Sequence, residues 1–178
     1  MRKGQSHPSS NISKNMLAQG LMELLEEKEY KAITITQLCE QAKIARRTFY
    51  RHFESKEDIL SYYISCIINE FQEELQICEN KDFETIIITY FSFWEKHTRL
   101  LLLLNKYNLT HIIFTQYIKC FYQHPIILRP NNQVLLDDNY FACNLAYTSG
   151  GLWSVLMYWI SNGFKQTPKE LAAIICDI

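Results

Sequence analysis

The sequence predicts an all-α fold, and three observations support that prediction. Residues that form turns are scarce, with 5 glycines and 4 prolines in 178 residues, which favours long helices over a β-sandwich or barrel. Apolar residues make up 48% of the chain, which is enough to build a core. Apolar side chains also recur at four-residue steps, as in amphipathic helices, most clearly at Ile59, Tyr63, Ile67, Phe71 and Leu75.

The predicted helices are bounded by caps and by turn residues. Thr34 and Gln37 have the spacing of a capping box, and Thr167 precedes a proline and a glutamate in the arrangement that opens a helix. Residues 1–12 are polar and are predicted to be mobile, and prolines and asparagines mark 124–138 as a loop. Helices are predicted over residues 13–28, 35–42, 46–53, 56–79, 82–96, 98–105, 109–123, 137–162 and 168–177.

Charge, cysteine usage and hydropathy narrow the class of protein. The formal net charge is -1, and the six cysteines are scattered singly, without the spacing of zinc ligands. We therefore predict a reduced, cytoplasmic protein with no metal and no cofactor. The polar N-terminus predicts no signal peptide. The most apolar stretch, 145–160, is interrupted by small polar residues and glycines, so no membrane span is predicted.

Positive charge is concentrated in residues 43–56, which hold five Lys or Arg and one Glu. On a helical wheel, the two phenylalanines of this stretch share an inner face, whereas Arg47 and Arg51 point away from it. A basic helix can simply be solvated, but no acidic residue lies between positions 43 and 53 to pair with these cations. Because a short capped helix precedes at turn distance, the pattern predicts a helix-turn-helix over about 34–53 that binds DNA.

Residues 33–60, ITITQLCEQAKIARRTFYRHFESKEDIL, resemble the DNA-binding signature of the TetR family of transcriptional regulators. The resemblance covers about residues 11–71. A weaker similarity to one subset of TetR-type ligand domains lies in Trp159–Gly163 and Thr167–Leu171. The resemblance implies an all-helical homodimer, with an N-terminal three-helix DNA-binding domain over 11–71 and a C-terminal helical ligand-binding and dimerisation domain over 72–178.

The resemblance also implies which residues meet DNA. Each subunit is expected to place one recognition helix in the major groove of a palindromic operator. Arg46, Arg47 and Thr48 are expected to face bases or phosphates, and the surrounding polar side chains to hold the backbone. The complete set of predicted DNA-binding residues is Thr34, Lys43, Arg46, Arg47, Thr48, Tyr50, Arg51, His52 and Lys56.

The chain departs from the family pattern at three positions. Lys43 stands where family members usually have a glycine in the turn, and Glu29 replaces another glycine. A left-handed Lys43 would cost about 1–2 kcal/mol. Ala45 stands where Ser or Thr is common and cannot cap the recognition helix, a loss of about 1 kcal/mol.

The C-terminal half is rich in aromatic residues at helical spacing, which is typical of a core but also of a pocket for a small apolar or aromatic effector. The candidate pocket residues are Tyr90, Trp94, Phe114, Tyr117, Phe121 and Trp153. Adjacent glycines inside an apolar helix suit close approach of a second backbone, or tight packing within one subunit. The candidate dimer-interface residues are Ser149, Gly150, Gly151, Trp153, Met157, Leu171 and Ile174.

The function that these patterns favour is a repressor released from its operator by a small-molecule inducer. An activator, or a regulator controlled by a protein partner, stays open as an alternative. An oversized apolar cavity within 82–162 would favour the small-molecule sensor, and an exposed apolar patch on a packed core the protein partner. An enzyme is the alternative of another class, but no nucleophile triad, phosphate-binding glycine loop or carboxylate pair is visible in the sequence.

Overall fold

The computed structural model describes residues 8–80, 82–123 and 138–177, all of them in helices and their connections, with no strand in these ranges. The predicted loop at 124–138 lies outside the described residues except for its last residue. The chain divides into two compact units, Met1–Cys66 and Ile67–Ile178.

The helices follow the predicted pattern closely. Eight of them begin and end within two residues of the predicted bounds, whereas the first begins at Pro8 instead of position 13. Proline suits the first helical position, because its missing N–H would have no partner there. A single 3-10 turn, Tyr30–Ala32, was not predicted. The helices are α1 Pro8–Glu27, α2 Ile35–Gln41, α3 Arg46–His52, α4 Lys56–Ile77, α5 Phe83–Lys96, α6 Thr98–Lys106, α7 His111–Gln123, α8 Asp138–Ser161 and α9 Pro168–Cys176.

The unit Met1–Cys66 is built on the apolar face of α1, which packs against α2 and α3. Leu17, Leu21 and Leu25 are fully buried on that face. Gly20 lies where α1 meets the end of α2, and a Cβ placed on it would be 3.2 Å from the Cβ of Ala42. Because real Cβ atoms rarely sit so close, the glycine sets how tightly the two helices approach.

Three helices end in the same motif, in which a left-handed residue follows the helix. Lys43, Asn108 and Gly163 have φ values of 53°, 57° and 69° after α2, α6 and α8. In each case the next residue donates its backbone N–H to a carbonyl five positions earlier, as Ile44 does to Cys39 at 2.9 Å. This is the Schellman motif, where glycine or asparagine is usual. Lys43 therefore carries the strain expected from the sequence.

The unit Ile67–Ile178 is held together by aromatic side chains. Its helix α5 packs along α9, and Phe91 meets Trp159 edge-to-face with ring centroids 5.6 Å apart. The Trp159 indole N–H donates to the Gln166 carbonyl at 2.8 Å, which fixes the connection before α9. Helix α9 then starts with the predicted capping box between Thr167 and Glu170. Within the described ranges, no helix combines the length and the apolar character that crossing a membrane requires.

Candidate nucleic-acid interface

The helix-turn-helix geometry comes from one capping box and one strained turn. The Thr34 side chain accepts from the Gln37 N–H at 3.2 Å, and the Gln37 side chain accepts from the Thr34 N–H at 3.0 Å, as the capping box predicts. Lys43 turns the chain, and Ala45 precedes α3 without a side-chain cap. The unusual turn residues therefore keep the expected backbone path at a cost in stability.

Helix α3 has one buried face and one cationic face. Phe49 is fully buried and Phe53 is 6% exposed, so these rings anchor the helix to the unit behind it. Arg46, Arg47 and Arg51 are exposed. An open surface depression is lined by Arg47, Thr48, Tyr50 and Arg51. The arrangement presents several hydrogen-bond donors on one outward face of a short, firmly anchored helix.

The three arginines differ in how they are held. The Arg46 guanidinium lies 3.5 Å from the Tyr50 hydroxyl and 5.9 Å from the centre of its ring, and this hydrogen bond raises the pKa of Arg46. Arg51 lies 3.4 Å from the His52 ring nitrogen. Arg47 makes no hydrogen bond or ion pair with any residue that the structure describes. Arg46 is therefore ordered in advance, whereas Arg47 can reorient to meet a ligand.

Lys56 has a different environment from the other predicted DNA-binding cations. Its Nζ donates to the Tyr30 and Ile33 carbonyls, both at 2.6 Å, and lies 4.5 Å from the centre of the Tyr30 ring. Burial lowers the pKa of the ammonium group. Two of its three donors are thus committed to the backbone that precedes α2, so Lys56 connects α4 to the 3-10 turn.

The start of α4 is capped by its own side chains. The Ser55 hydroxyl accepts from the Asp58 N–H at 3.1 Å, as a serine does at a helix N-cap. The Asp58 carboxylate in turn accepts from the Glu54 and Ser55 N–H groups, both at 2.9 Å. The connection between α3 and α4 is therefore fixed by short-range hydrogen bonds.

Two residues that support the helix-turn-helix were missed by sequence reasoning. Gly20 lies in an apolar stretch of α1, and a lone glycine inside a helix was the available signal. Lys14 gave no signal, because its position depends on folding: its Nζ lies 5.4 Å from the centre of the Tyr62 ring. The pKa of His52 is lowered by burial and by the charges of Arg51 and Lys14. Lys14 therefore lies close enough to the end of α3 to affect the pKa of His52.

The predicted pocket residues fall into two groups within the unit Ile67–Ile178. Tyr90 is buried and stacks edge-to-face with Trp94 at 6.4 Å and with Tyr117 at 5.8 Å between ring centroids. Phe114 and Trp153 form a separate half-exposed pair with centroids 5.2 Å apart. The side chain of Phe121 lies outside the described residues. The structure thus brings three of the predicted residues into one cluster.

The predicted interface residues differ in how exposed they are. Gly151 and Ile174 are exposed, Gly150 is half-exposed, and a Cβ on either glycine would meet nothing within 4 Å. Trp153 and Met157 are half-buried. Ser149 and Leu171 are only 2% and 3% exposed and point into their own unit. These last two side chains cannot form a contact surface, because atoms of the same subunit already cover them.

A row of outward side chains on α8 was not predicted. Tyr140, Tyr147 and Tyr158 are 56%, 85% and 54% exposed and lie at helical spacing with the exposed Gly151 and Ser154. Asp138 is the only charged residue in the sequence of α8. We call this row the α8 tyrosine face.

Comparisons with known proteins agree with this architecture. The family model described as "Bacterial regulatory proteins, tetR family" matches residues 19–63, and the one described as "Transcriptional regulator C-terminal region" matches residues 81–178. The solved structure of the dihydroxyacetone kinase operon activator DhaS superposes with a TM-score of 0.60 at 17% identity, covering 94% of this chain and 93% of that one. At this level of identity, the likeness shows that the two proteins share a fold.

Two curated relatives are similar in sequence. The HTH-type dhaKLM operon transcriptional activator DhaS of Lactococcus lactis subsp. lactis (strain IL1403) is 30% identical over 74 residues, or 42% of this chain and 37% of that protein. The uncharacterized HTH-type transcriptional regulator YxbF of Bacillus subtilis (strain 168) is 20% identical over 171 residues, or 90% of this chain and 43% of that protein. The chain thus matches less than half of the length of either relative.

Proposed function

Because the chain belongs to the TetR family of bacterial regulatory proteins, we propose that it binds a palindromic DNA operator and regulates transcription in the cytoplasm. The observation that carries this proposal is α3, whose cationic face is exposed while Phe49 behind it is fully buried. A helix of this kind fits the major groove, where arginine can pair with guanine through two hydrogen bonds.

The proposed DNA contacts divide by how each side chain is held. Arg47 is the base-reading arginine, because it is exposed and can extend into the groove. Arg46 is ordered on Tyr50, which suits a contact that must keep one geometry. Thr48 and Tyr50 offer hydroxyls at the same surface, and hydroxyls suit phosphate oxygens. Thr34, Lys43, Arg51 and His52 are the remaining proposed backbone contacts.

The proposed homodimer uses the α8 tyrosine face. Tyrosine is enriched where proteins meet, because it supplies a large apolar ring with one polar tip. The exposed Gly151 within this face lets a second backbone come close. Ile174 on α9, which is 54% exposed, stays in the proposed interface set. Ser149 and Leu171 leave the interface set because they are buried within the subunit.

An effector is proposed to act through the aromatic cluster of Tyr90, Trp94 and Tyr117. Two donors near it, the Trp94 indole N–H and the Gln72 side-chain amide, are buried without a well-formed hydrogen bond among the described residues, and their nearest acceptors are the Tyr90 hydroxyl and the Cys120 thiol. A buried unpaired donor costs about 1–3 kcal/mol. A small molecule that brings an acceptor oxygen would recover that cost, so we propose an uncharged effector with an aromatic or apolar body.

The direction of regulation is proposed to be repression that an inducer relieves. The runner-up is activation, and one observation favours it: the similar DhaS is named a transcriptional activator. Both directions use the same α3 surface on DNA. They differ in whether transcription rises or falls when the chain is deleted, which a reporter assay measures directly.

The deciding experiment is a footprint and gel shift on DNA upstream of the chain's own coding sequence, at two salt concentrations. We expect a protected palindrome and binding that weakens steeply with salt, because phosphate contacts release counterions. Light scattering of the same sample is expected to give a dimer. The absence of any sequence-specific shift at either salt concentration would refute the proposal.

Arg47→Ala sharpens this experiment. It is expected to reduce operator affinity by about 1–3 kcal/mol while changing affinity for an unrelated duplex much less, because a base contact is lost. Lys169→Ala is the matched control, since Lys169 is an exposed cation on α9 in the other unit. Equal losses on operator and unrelated DNA would show that Arg47 contacts phosphate instead.

A further inference from the structure

Lys56 is poorly placed to neutralise a DNA phosphate. Its ammonium donates to the Tyr30 and Ile33 carbonyls and faces the Tyr30 ring. Reaching a phosphate would require it to give up these contacts or to share its one remaining donor. The cation that the sequence assigned to the backbone at this edge of the helix-turn-helix is therefore already engaged within the protein.

Lys14 lies at the same surface with its ammonium available. Its Nζ is 5.4 Å from the centre of the Tyr62 ring. That ring is fixed on two sides: its hydroxyl donates to Asn15 at 2.6 Å, and it packs against Phe53 at 5.7 Å between centroids. Because Phe53 directly follows α3, the fixed ring holds Lys14 next to the C-terminal end of the recognition helix.

Two further basic groups lie near Lys14. Lys14 and Arg51 both lower the pKa of His52, after burial, so both cations lie close to the same imidazole. Lys14 forms no ion pair with any residue in the described ranges. Gathering cations without an acid is unfavourable unless a polyanion neutralises them. The phosphate backbone that borders the major groove is such a polyanion.

We propose that Lys14 contacts a DNA phosphate beside the C-terminal end of α3, and that Lys56 instead positions the helix-turn-helix from within the protein. A helix in the major groove has a phosphate backbone on each side of it, since the groove is about 12 Å wide. Lys14 extends the cationic surface from α3 onto α1, toward one of these backbones. This inference rests on the proposed DNA-binding function and adds the source of one phosphate contact.

The test measures binding of Lys14→Gln to the footprinted operator and to an unrelated duplex across a salt series. Loss of one phosphate contact should weaken binding to both duplexes alike and reduce the salt slope by about one per subunit. Lys14→Arg should restore the slope, because the charge is retained. Lys169→Gln, which removes an exposed lysine on α9, is the matched control and should leave the slope unchanged.

Lys56→Gln should affect stability instead of the salt dependence of DNA binding. It should lower the melting temperature and leave the salt slope as in the wild type. An unchanged slope in Lys14→Gln, or a reduced slope in Lys56→Gln, would overturn the inference. Wild-type protein without a sequence-specific complex would refute the proposed function itself, whereas a specific complex that is insensitive to Lys14 would refute only this assignment.

Discussion

The recognition helix of the first unit and the aromatic cluster of the second unit place their polar side chains in opposite ways. In Met1–Cys66, the arginines of α3 are exposed, above the buried rings of Phe49 and Phe53. In Ile67–Ile178, polar atoms lie inside: Tyr90 and Tyr117 are buried, and burial raises the pKa of both hydroxyls. The exposed α8 tyrosine face, by contrast, carries no charge.

This difference suits the two kinds of recognition that we propose for one short chain. A charged polymer such as DNA is met at a wet surface, where cations remain hydrated until contact. An uncharged partner or ligand is met by aromatic surface, where burial supplies the free energy and a few polar atoms supply orientation. Substitutions should therefore separate stability from binding in the first unit more cleanly than in the second.

The largest expected effect comes from removing the buried ring that supports α3. Phe49→Ala should reduce stability by about 3–5 kcal/mol, because a fully buried ring is replaced by a cavity. DNA binding should be lost with it. Tyr50→Ala is the matched control on the next residue, whose ring is 55% exposed: it should change stability by about 0.5 kcal/mol or less while weakening DNA binding. Thermal unfolding and gel shifts measure both quantities, and equal destabilisation by the two variants would contradict the division.

An intermediate effect compares the two capping boxes, one in each unit. Thr34→Ala and Thr167→Ala should each cost about 1 kcal/mol of stability, because each removes an N-cap acceptor. Only Thr34→Ala should also lower DNA affinity, since the cap at α2 lies within the helix-turn-helix. An equal loss of DNA affinity in Thr167→Ala would show that the comparison between the units is wrong.

The same two boxes should respond differently to pH. Hydrogen bonds from Thr167 lower the pKa of Glu170 below its ordinary value of 4.5, so its contribution to stability is present above that pH and is lost as the pH falls through the lower folded-state pKa. Gln37, the partner of Thr34, does not titrate. Glu170→Gln should therefore reduce the melting temperature at pH 7, and its effect should become smaller as the pH falls further below 4.5.

The smallest expected effect concerns the strained turn. Lys43→Gly removes about 1–2 kcal/mol of left-handed strain and adds about 0.5–1 kcal/mol of unfolded-state entropy. The net gain is at most about 1.5 kcal/mol, so the melting temperature should rise by no more than about 3–6 °C, while DNA affinity falls with the lost cation. Asn108→Gly, at the equivalent position after α6, should raise the melting temperature less, because asparagine tolerates this conformation. A lower melting temperature in Lys43→Gly would refute the strain.

The helices and the helix-turn-helix could be predicted because their signals are local. The Thr34 and Thr167 caps act over three residues, and the apolar stripes repeat every turn. The Lys56 contacts could not be predicted, since their carbonyl partners lie 26 and 23 residues earlier in the chain. The approach of Gly20 to Ala42 depends in the same way on how two helices pack.

The residues of the candidate site could be predicted from the sequence, but the partners that hold each side chain could not. A wheel separates Arg47 from Phe49, because helix geometry fixes their directions. It does not show that Arg46 lies on Tyr50 or that Lys14 reaches the Tyr62 ring. In the C-terminal unit the aromatic pattern could not separate the cluster around Tyr90 from the Phe114–Trp153 pair, since both have helical spacing.

The missing side chain at Gly20 has a genetic consequence. Gly20→Ala would gain about 1 kcal/mol of helix propensity, yet its methyl group would press on Ala42 from 3.2 Å and shift the turn that carries the recognition helix. In the proposed homodimer, such a chain would fold and pair normally but present α3 out of place. In a cell that also makes the wild-type chain, mixed pairs would each hold one misplaced helix. The allele would then behave as dominant, although the substitution touches neither DNA nor the partner subunit.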